Sequence, residues 1–331
     1  MHDGTSGAES REVSWSLEST TVDGTLVRPT GPGPFPAAVF VAGSGPTDRD
    51  WNSPLLPGTN GSGRLVAEAL AAVGIGSLRY DKRGLGPHAR ENLQVLRGKV
   101  SMESHRDEVA SAVRFLAAQE GVRTDRLFAL TNSEGALHAL HYQLGQPPLP
   151  FAGLALTAPP GRPVGDVART QLAAQAAASP NGEALLALYD AAIARFLAGE
   201  PIAPDPLLPP GVQALLQGLT APLNLPFSRE LWVEDAAALL PGIDVPVLIV
   251  IGRRDIQVDW QLDGGPLRRG AESLPDVTFR FPEHANHVLK FEGTERSALN
   301  PQAVAARYNA AEASLDPEVV AILREWFLAH R

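Results

Sequence analysis

Short apolar runs recur along the chain, at 37–42, 75–80, 127–130, 154–157, 247–251 and 277–281, and segments with apolar residues at helical spacing separate them. No other feature constrains the fold so tightly. The first run, Ala37-Ala38-Val39-Phe40-Val41-Ala42, is apolar without interruption, as a strand covered on both faces must be. Strands that alternate with helices pair in parallel through crossover connections. The chain therefore reads as α/β, with a mostly parallel central sheet and helices on both faces. An antiparallel hairpin is expected before it, where Val13, Trp15 and Leu17, then Leu26 and Val27, flank an Asp23-Gly24 turn signal. Helices are expected at 65–73, 102–119 and 317–328, the last with Asp316 as N-cap and Pro317 at its first position.

One stretch breaks the alternation. Residues 161–236 are Ala/Leu-rich at 169–178 and 183–197, Pro-rich at 201–210, then helical again. The stretch is too long for an ordinary connection. We read it as a helical lid or cap insertion into a core formed by 11–160 and 237–331, with 1–10 as a disordered N-terminus.

Composition narrows the function. Cysteine is absent from the 331 residues, which removes disulfides and thiolate chemistry and fits a reducing, cytoplasmic location. The first ten residues lack the apolar core of a signal peptide, and no apolar run reaches the length of a membrane span. A net charge of −9 argues against nucleic acid as a partner. A small molecule is the expected partner, and oligomeric state is not legible. No cofactor is expected: the strand at 37–42 runs into Gly43-Ser44-Gly45-Pro46 rather than opening a helix with a G-x-G-x-x-G turn. No metal is expected either, because His284 and His287 have no evident third ligand beside them.

The richest segment for chemistry is Leu127 to Leu140, where an apolar strand enters the turn Thr131-Asn132-Ser133-Glu134-Gly135 and then a helical pattern. A serine on such a strand-turn-helix corner has an exposed Oγ and small neighbours. Gly135 meets the steric demand; Thr131 stands where glycine is usual. A serine hydroxyl is a weak nucleophile until a histidine takes its proton, and a carboxylate must orient that histidine. Asp255 follows directly on the strand at 247–251, with Asp259 as its nearest rival. Of the histidines after it, His287 is favoured as base, with His284 the alternative and the penultimate His330 out of reach. Stabilising an oxyanion needs N–H donors. The backbone N–H of Glu134 is one candidate, and Ser44, or else Gly45, supplies the other. The Glu134 carboxylate is expected to be a structural hydrogen-bonding partner rather than a second acid.

These motifs resemble those of the α/β-hydrolase superfamily over residues 35–300. Within it the chain is similar to bacterial carboxylesterases whose oxyanion loop reads Gly-Ser-Gly-Pro-x-Asp-Arg-Asp, here Gly43-Ser44-Gly45-Pro46-Thr47-Asp48-Arg49-Asp50. The same group has an Arg-Tyr-Asp-Lys-Arg-Gly strand end, here Arg79 to Gly84, and an Asn-His motif, here Asn286-His287. The resemblance implies Ser133 as nucleophile, Asp255 as acid and His287 as base. It also implies hydrolysis of carboxylic esters through an acyl-enzyme, and the apolar helical insertion suggests an acyl pocket for a short to medium chain. Thioester, amide or peptide cleavage and acyl transfer use the same groups. A binding protein that keeps the fold without turnover is the competing class, motivated by Thr131. The charged groups at 48–50 and 81–83 are expected to pair with each other or with nearby backbone and so hold the loop.

Overall fold

A computed structural model describes residues 8–31, 33–177, 179–203 and 205–331. Of the N-terminal stretch expected to be disordered, residues 1–7 lie outside the described residues, while Glu9 and Ser10 already belong to the first strand. Ala178, the expected end of the first insertion helix, also lies outside them.

Eight strands form one sheet in the order β1-β2-β4-β3-β5-β6-β7-β8. They are β1 (Glu9–Leu17), β2 (Thr20–Arg28), β3 (Phe35–Val41), β4 (Gly76–Tyr80), β5 (Val122–Asn132), β6 (Gly153–Thr157), β7 (Val247–Val250) and β8 (Val277–Arg280). β2 runs antiparallel to β1 and β4, and every pair from β4 to β8 is parallel. This is the α/β-hydrolase fold, with the mostly parallel sheet read from the sequence.

The hairpin forms, but its turn does not sit at Asp23-Gly24. Leu17 pairs with Thr20, so Glu18 and Ser19 make the turn, and Gly24 lies inside β2 opposite Val13 and Tyr80. Asp23 instead accepts from the backbone N–H of Asp81 through its carbonyl and holds His88 Nδ1 through its carboxylate at 2.9 Å. A turn dipeptide was available, and tertiary pairing used it differently.

Why β3 is apolar throughout is evident from its two faces. Ala37, Val39 and Val41 pack with α3 (Met102–Ala117) and α4 (Gly135–Leu144), through Val109, Val113, Leu137 and Leu140. Ala38 and Phe40 face the other way, onto α1 (Ser62–Ala71) and α12 (Pro317–His330), through Val66, Leu70, Leu323 and Phe327. Asp316 caps α12 by accepting from the N–H groups of Glu318 and Val319, as expected. A helix not anticipated, α2 (Ala89–Leu96), follows β4.

Between β6 and β7 the chain forms α5 (Val164–Ala176), α6 (Gly182–Leu197), α7 (Pro210–Thr220) and α8 (Phe227–Leu231), followed by the short α9 (Ala236–Leu239). Tyr189, Phe196, Leu208, Val212, Leu216, Leu219 and Trp232 make a separate apolar cluster there. Apolar residues of these helices thus pack on one another. α10 (Gly264–Gly270) and α11 (Pro301–Arg307) complete the helices before α12. Among the described residues no helix is long and apolar enough to cross a membrane.

Parallel strands share one carboxyl edge, and the loops leaving that edge converge. The segments after β3, β5, β7 and β8 hold Gly43, Ser133, Asp255 and His287 respectively.

Candidate active site

Ser133 stands at the corner between β5 and α4 with φ +52°, a left-handed backbone that a serine adopts only under constraint. The constraint comes from both sides. Ser133 N–H donates to the Thr157 carbonyl at 2.8 Å, and its own carbonyl accepts from Ala136 N–H at 3.0 Å. Two glycines sit in close quarters there, and Gly135 has no room for a side chain. A Cβ on Gly135 would lie 2.3 Å from the Val41 carbonyl oxygen, and one on Gly43 would lie 3.2 Å from the Ser133 Cβ. Thr131 is accommodated because it is still in the strand, paired with Val41 and Leu156. Its side chain is fully buried and Oγ1 has no hydrogen-bond partner.

Asp255 and His287 meet. His287 Nδ1 lies 2.9 Å from Asp255 Oδ2, and both side chains are buried. A carboxylate only accepts, so Nδ1 is the nitrogen that donates to Asp255 and Nε2 is the one turned away from it. Asp255 is itself fixed, because Oδ1 accepts from the N–H groups of Gln257 at 2.7 Å and Val258 at 3.0 Å. The His287 loop is tied by Asn286, whose Oδ1 accepts from Val288 and Lys290 N–H. Asn132, the residue before Ser133, donates from Nδ2 to the His287 carbonyl at 3.0 Å. The elbow and the histidine loop are therefore in direct contact.

The rival residues are occupied elsewhere. Asp259 pairs with Arg296 at 2.8 Å and accepts from the N–H groups of Gln261 and Leu262. His284 packs on Phe291 in a tilted arrangement with ring centroids 5.0 Å apart, and its Nδ1 has no partner. His330 ends α12 against Trp326, bonded to that residue's carbonyl. Among the described residues no group of three or more His, Asp or Glu side chains is arranged to hold a metal ion.

The loop after β3 is built by its own charges. Arg49 binds Asp81 through Nε at 3.0 Å, Nη2 at 2.8 Å and its backbone N–H at 2.7 Å. Arg79 pairs with Asp50, and Asp48 Oδ1 accepts from the N–H groups of Asp50 and Asn52. The expected pairing of 48–50 with 81–83 thus holds for Asp81, and for Lys82 through backbone oxygens of the loop. Arg83 turns inward instead, to Glu108 at 3.0 Å. Ser44 and Gly45 are exposed at the tip, and Gly45 has φ +71°.

Sequence reasoning missed a buried polar chain beneath the elbow. Glu134 Oε1 lies 3.1 Å from Lys82 Nζ and 3.1 Å from His138 Nε2. His138 stacks on His105 at 4.8 Å between ring centroids, and His105 Nδ1 lies 3.1 Å from Glu108. Burial works against charge on Glu134, but Lys82 and His138 outweigh it and hold the carboxyl well below its usual range. Burial, with His105 adding to it, pushes His138 down to about 4, so the imidazole is neutral near pH 7 and donates from Nε2 to Glu134. The carboxylate of Glu134 is thus a structural partner. The spacing of Glu134 and His138 on one helix face was the available signal.

A family model described as serine aminopeptidase, S33, matches residues 60–198. Esterase EstD of Thermotoga maritima is 28% identical over 237 residues, which is 71% of this chain and 50% of that protein. The chain thus spans about half the length of that curated relative. Among solved structures, VinJ superposes with a TM-score of 0.58 at 14% identity, covering 97% of this chain and 99% of VinJ. The Pyrococcus furiosus esterase Pf2001 superposes with a TM-score of 0.55 at 16% identity, covering 98% of this chain and 93% of that one. The solved structures share the fold, and the matches together support the α/β-hydrolase superfamily.

Proposed function

We propose that the protein is a serine hydrolase that cleaves carboxylic esters of short to medium acyl chain. The observation that carries this reading is the buried Asp255–His287 pair at 2.9 Å, tied through Asn132 to the turn that holds Ser133 at φ +52°. In the reaction, His287 Nε2 takes the proton of Ser133 Oγ as Oγ attacks the ester carbonyl. The carbonyl oxygen becomes an oxyanion, met by the N–H of Glu134 and the N–H of Ser44, with Gly45 as the alternative to Ser44. The Glu134 N–H suits that role because Glu134 is the N-cap of α4, where backbone N–H groups have no intrahelical acceptor. Collapse of the intermediate breaks the C–O bond, and His287 returns the proton to the departing alcohol. Water, giving a proton to His287, then attacks the acyl carbonyl; the C–Oγ bond breaks, Ser133 Oγ takes the proton back from His287, and the acid leaves. Asp255 holds the ring in one tautomer and offsets the imidazolium charge. No cofactor or metal takes part.

Several likenesses support the ester substrate. The loop Gly43 to Asp50 resembles that of bacterial carboxylesterases, and the matched Thermotoga protein is named an esterase. Residues 161–236 would act as a lid over the acyl site, and the cysteine-free chain suits the cytoplasm. A second reading, amide or peptide cleavage on the same residues, is favoured by the aminopeptidase description of the matched family.

The test is a series of p-nitrophenyl esters of increasing acyl length beside p-nitroanilides, with Ser133→Ala as control. Ester turnover that declines for long chains and vanishes in the variant is the expected result. Faster anilide than ester turnover would favour the amidase reading, and turnover that survives in Ser133→Ala would remove Ser133 from the chemistry.

A further inference from the structure

Lys82 follows β4, away from the three residues that would do the chemistry, yet its ammonium reaches both halves of the proposed oxyanion hole. Nζ donates to the Gly43 carbonyl at 2.6 Å, to the Gly45 carbonyl at 3.3 Å and to Glu134 Oε1 at 3.1 Å. An ammonium has three N–H donors, and here each has an acceptor. Two of those acceptors belong to the loop whose N–H groups would face the oxyanion. The third is the side chain of the residue whose backbone N–H is the other donor.

Peptide planarity gives these contacts a consequence. In a trans peptide the carbonyl and the next N–H point in opposite directions. Fixing the Gly43 carbonyl on Lys82 therefore fixes the Ser44 N–H pointing away from Lys82. The residue that carries the carbonyl is the one packed on the nucleophile, since a Gly43 Cβ would lie 3.2 Å from Ser133 Cβ. A cation on the carbonyl oxygen also polarises the peptide and makes its N–H a stronger donor, because hydrogen bonds in series reinforce one another. Loop geometry alone would leave Gly45, at φ +71° with open space around it, free to rotate these peptides.

We propose, resting on the hydrolase reading above, that Lys82 is a positioning residue that aims and strengthens the Ser44 N–H and locks it to the Glu134 N–H. Glu134 and His138 serve Lys82 in turn. The carboxylate balances an ammonium whose side chain is 13% exposed, and the neutral His138 ring holds that carboxylate in place. An arginine could not substitute fully, since its planar fork does not present three donors from one nitrogen.

The experiment compares wild type with Lys82→Met on p-nitrophenyl butyrate, with active sites counted by fluorophosphonate titration so that only folded enzyme is scored. Loss of one well-placed oxyanion donor costs on the order of 10²–10³ in kcat, and a misaimed one should cost roughly 10–100-fold, with KM within about threefold. Affinity for a trifluoromethyl ketone, whose adduct on serine bears an oxyanion, should fall in parallel. A folded Lys82→Met with kcat within threefold of wild type overturns the proposal, as does lost kcat with undiminished ketone affinity. Should Lys82→Met not fold, Glu134→Gln takes its place: kcat several-fold lower at unchanged KM is expected, and unchanged kcat overturns the proposal. A wild type that neither turns over the ester nor labels at Ser133 overturns the hydrolase reading and the Lys82 role with it. An active wild type with an unaffected Lys82→Met overturns the Lys82 role alone.

Discussion

His287 is held at three points: Asp255 on its Nδ1, Asn132 on its carbonyl, and the Asn286 turn beneath it. If that ring is the base, Asp255→Asn should lower kcat for a p-nitrophenyl ester by about 10³–10⁴-fold while the Tm changes little, because an amide can offer its N–H to Nδ1 and favour the wrong tautomer. Near-normal turnover would move the acid elsewhere, Asp259 first. His287→Ala should abolish turnover and His284→Ala should leave it within a fewfold; the reverse pattern would exchange their roles. Thr131 gives a prediction of the opposite sense. Its buried hydroxyl has no partner, so Thr131→Val, equal in shape, should stabilise the protein by about 1 kcal/mol in urea unfolding and preserve activity. A clear destabilisation would mean that the hydroxyl is bonded after all.

At the scale of elements, the elbow depends on how closely β3 and α4 approach. Gly135→Ala would place a methyl 2.3 Å from the Val41 carbonyl oxygen, and backbone cannot yield as a flexible side chain would. A loss of roughly 2–4 kcal/mol and of most ester turnover is expected, and a variant of wild-type Tm and rate would contradict the tight corner. The strands of the core and their order along the chain were legible because each is a short apolar run, and β3, β4, β6 and β7 are buried along their whole length. Asp255, His287 and Ser133 were legible as candidates because each directly follows such a run or lies on the turn beyond it. The hairpin turn was not, since Asp23-Gly24 has the composition of a turn while Glu18-Ser19, which makes it, does not. Lys82 was expected among the charges that hold the loop, but its acceptors were not legible: positions 43 and 134 are brought to it only by the order β4-β3-β5 in the sheet. Local pattern does not encode that neighbourhood.

The whole molecule should be acid-sensitive through the buried chain of Glu134, His138, His105 and Glu108. Burial holds His138 at about 4 in the fold, below its ordinary 6.5, so on acidification the unfolded chain takes up the proton first. Stability is then full above 6.5 and is lost as pH falls from 6.5 toward 4. Glu108 is lowered from 4.5 to about 2, His105 and Arg83 overcoming the opposing effect of burial. Its contribution is present above 4.5 and disappears as pH falls toward 2, in the same direction. Circular dichroism melts at pH 7.5, 6, 5 and 4 should give a Tm that declines steadily below pH 6.5, and a flat profile down to pH 4 would argue against a buried neutral His138. The sheet brings four loops to one edge, and the central claim is that Ser133 there is a nucleophile activated by His287. Treating the folded protein with a fluorophosphonate and mapping the adduct by mass spectrometry tests this most directly. The account predicts stoichiometric modification at Ser133, lost in Ser133→Ala and slowed by orders of magnitude in His287→Ala; unlabelled folded wild type, or a label on another residue, would contradict it.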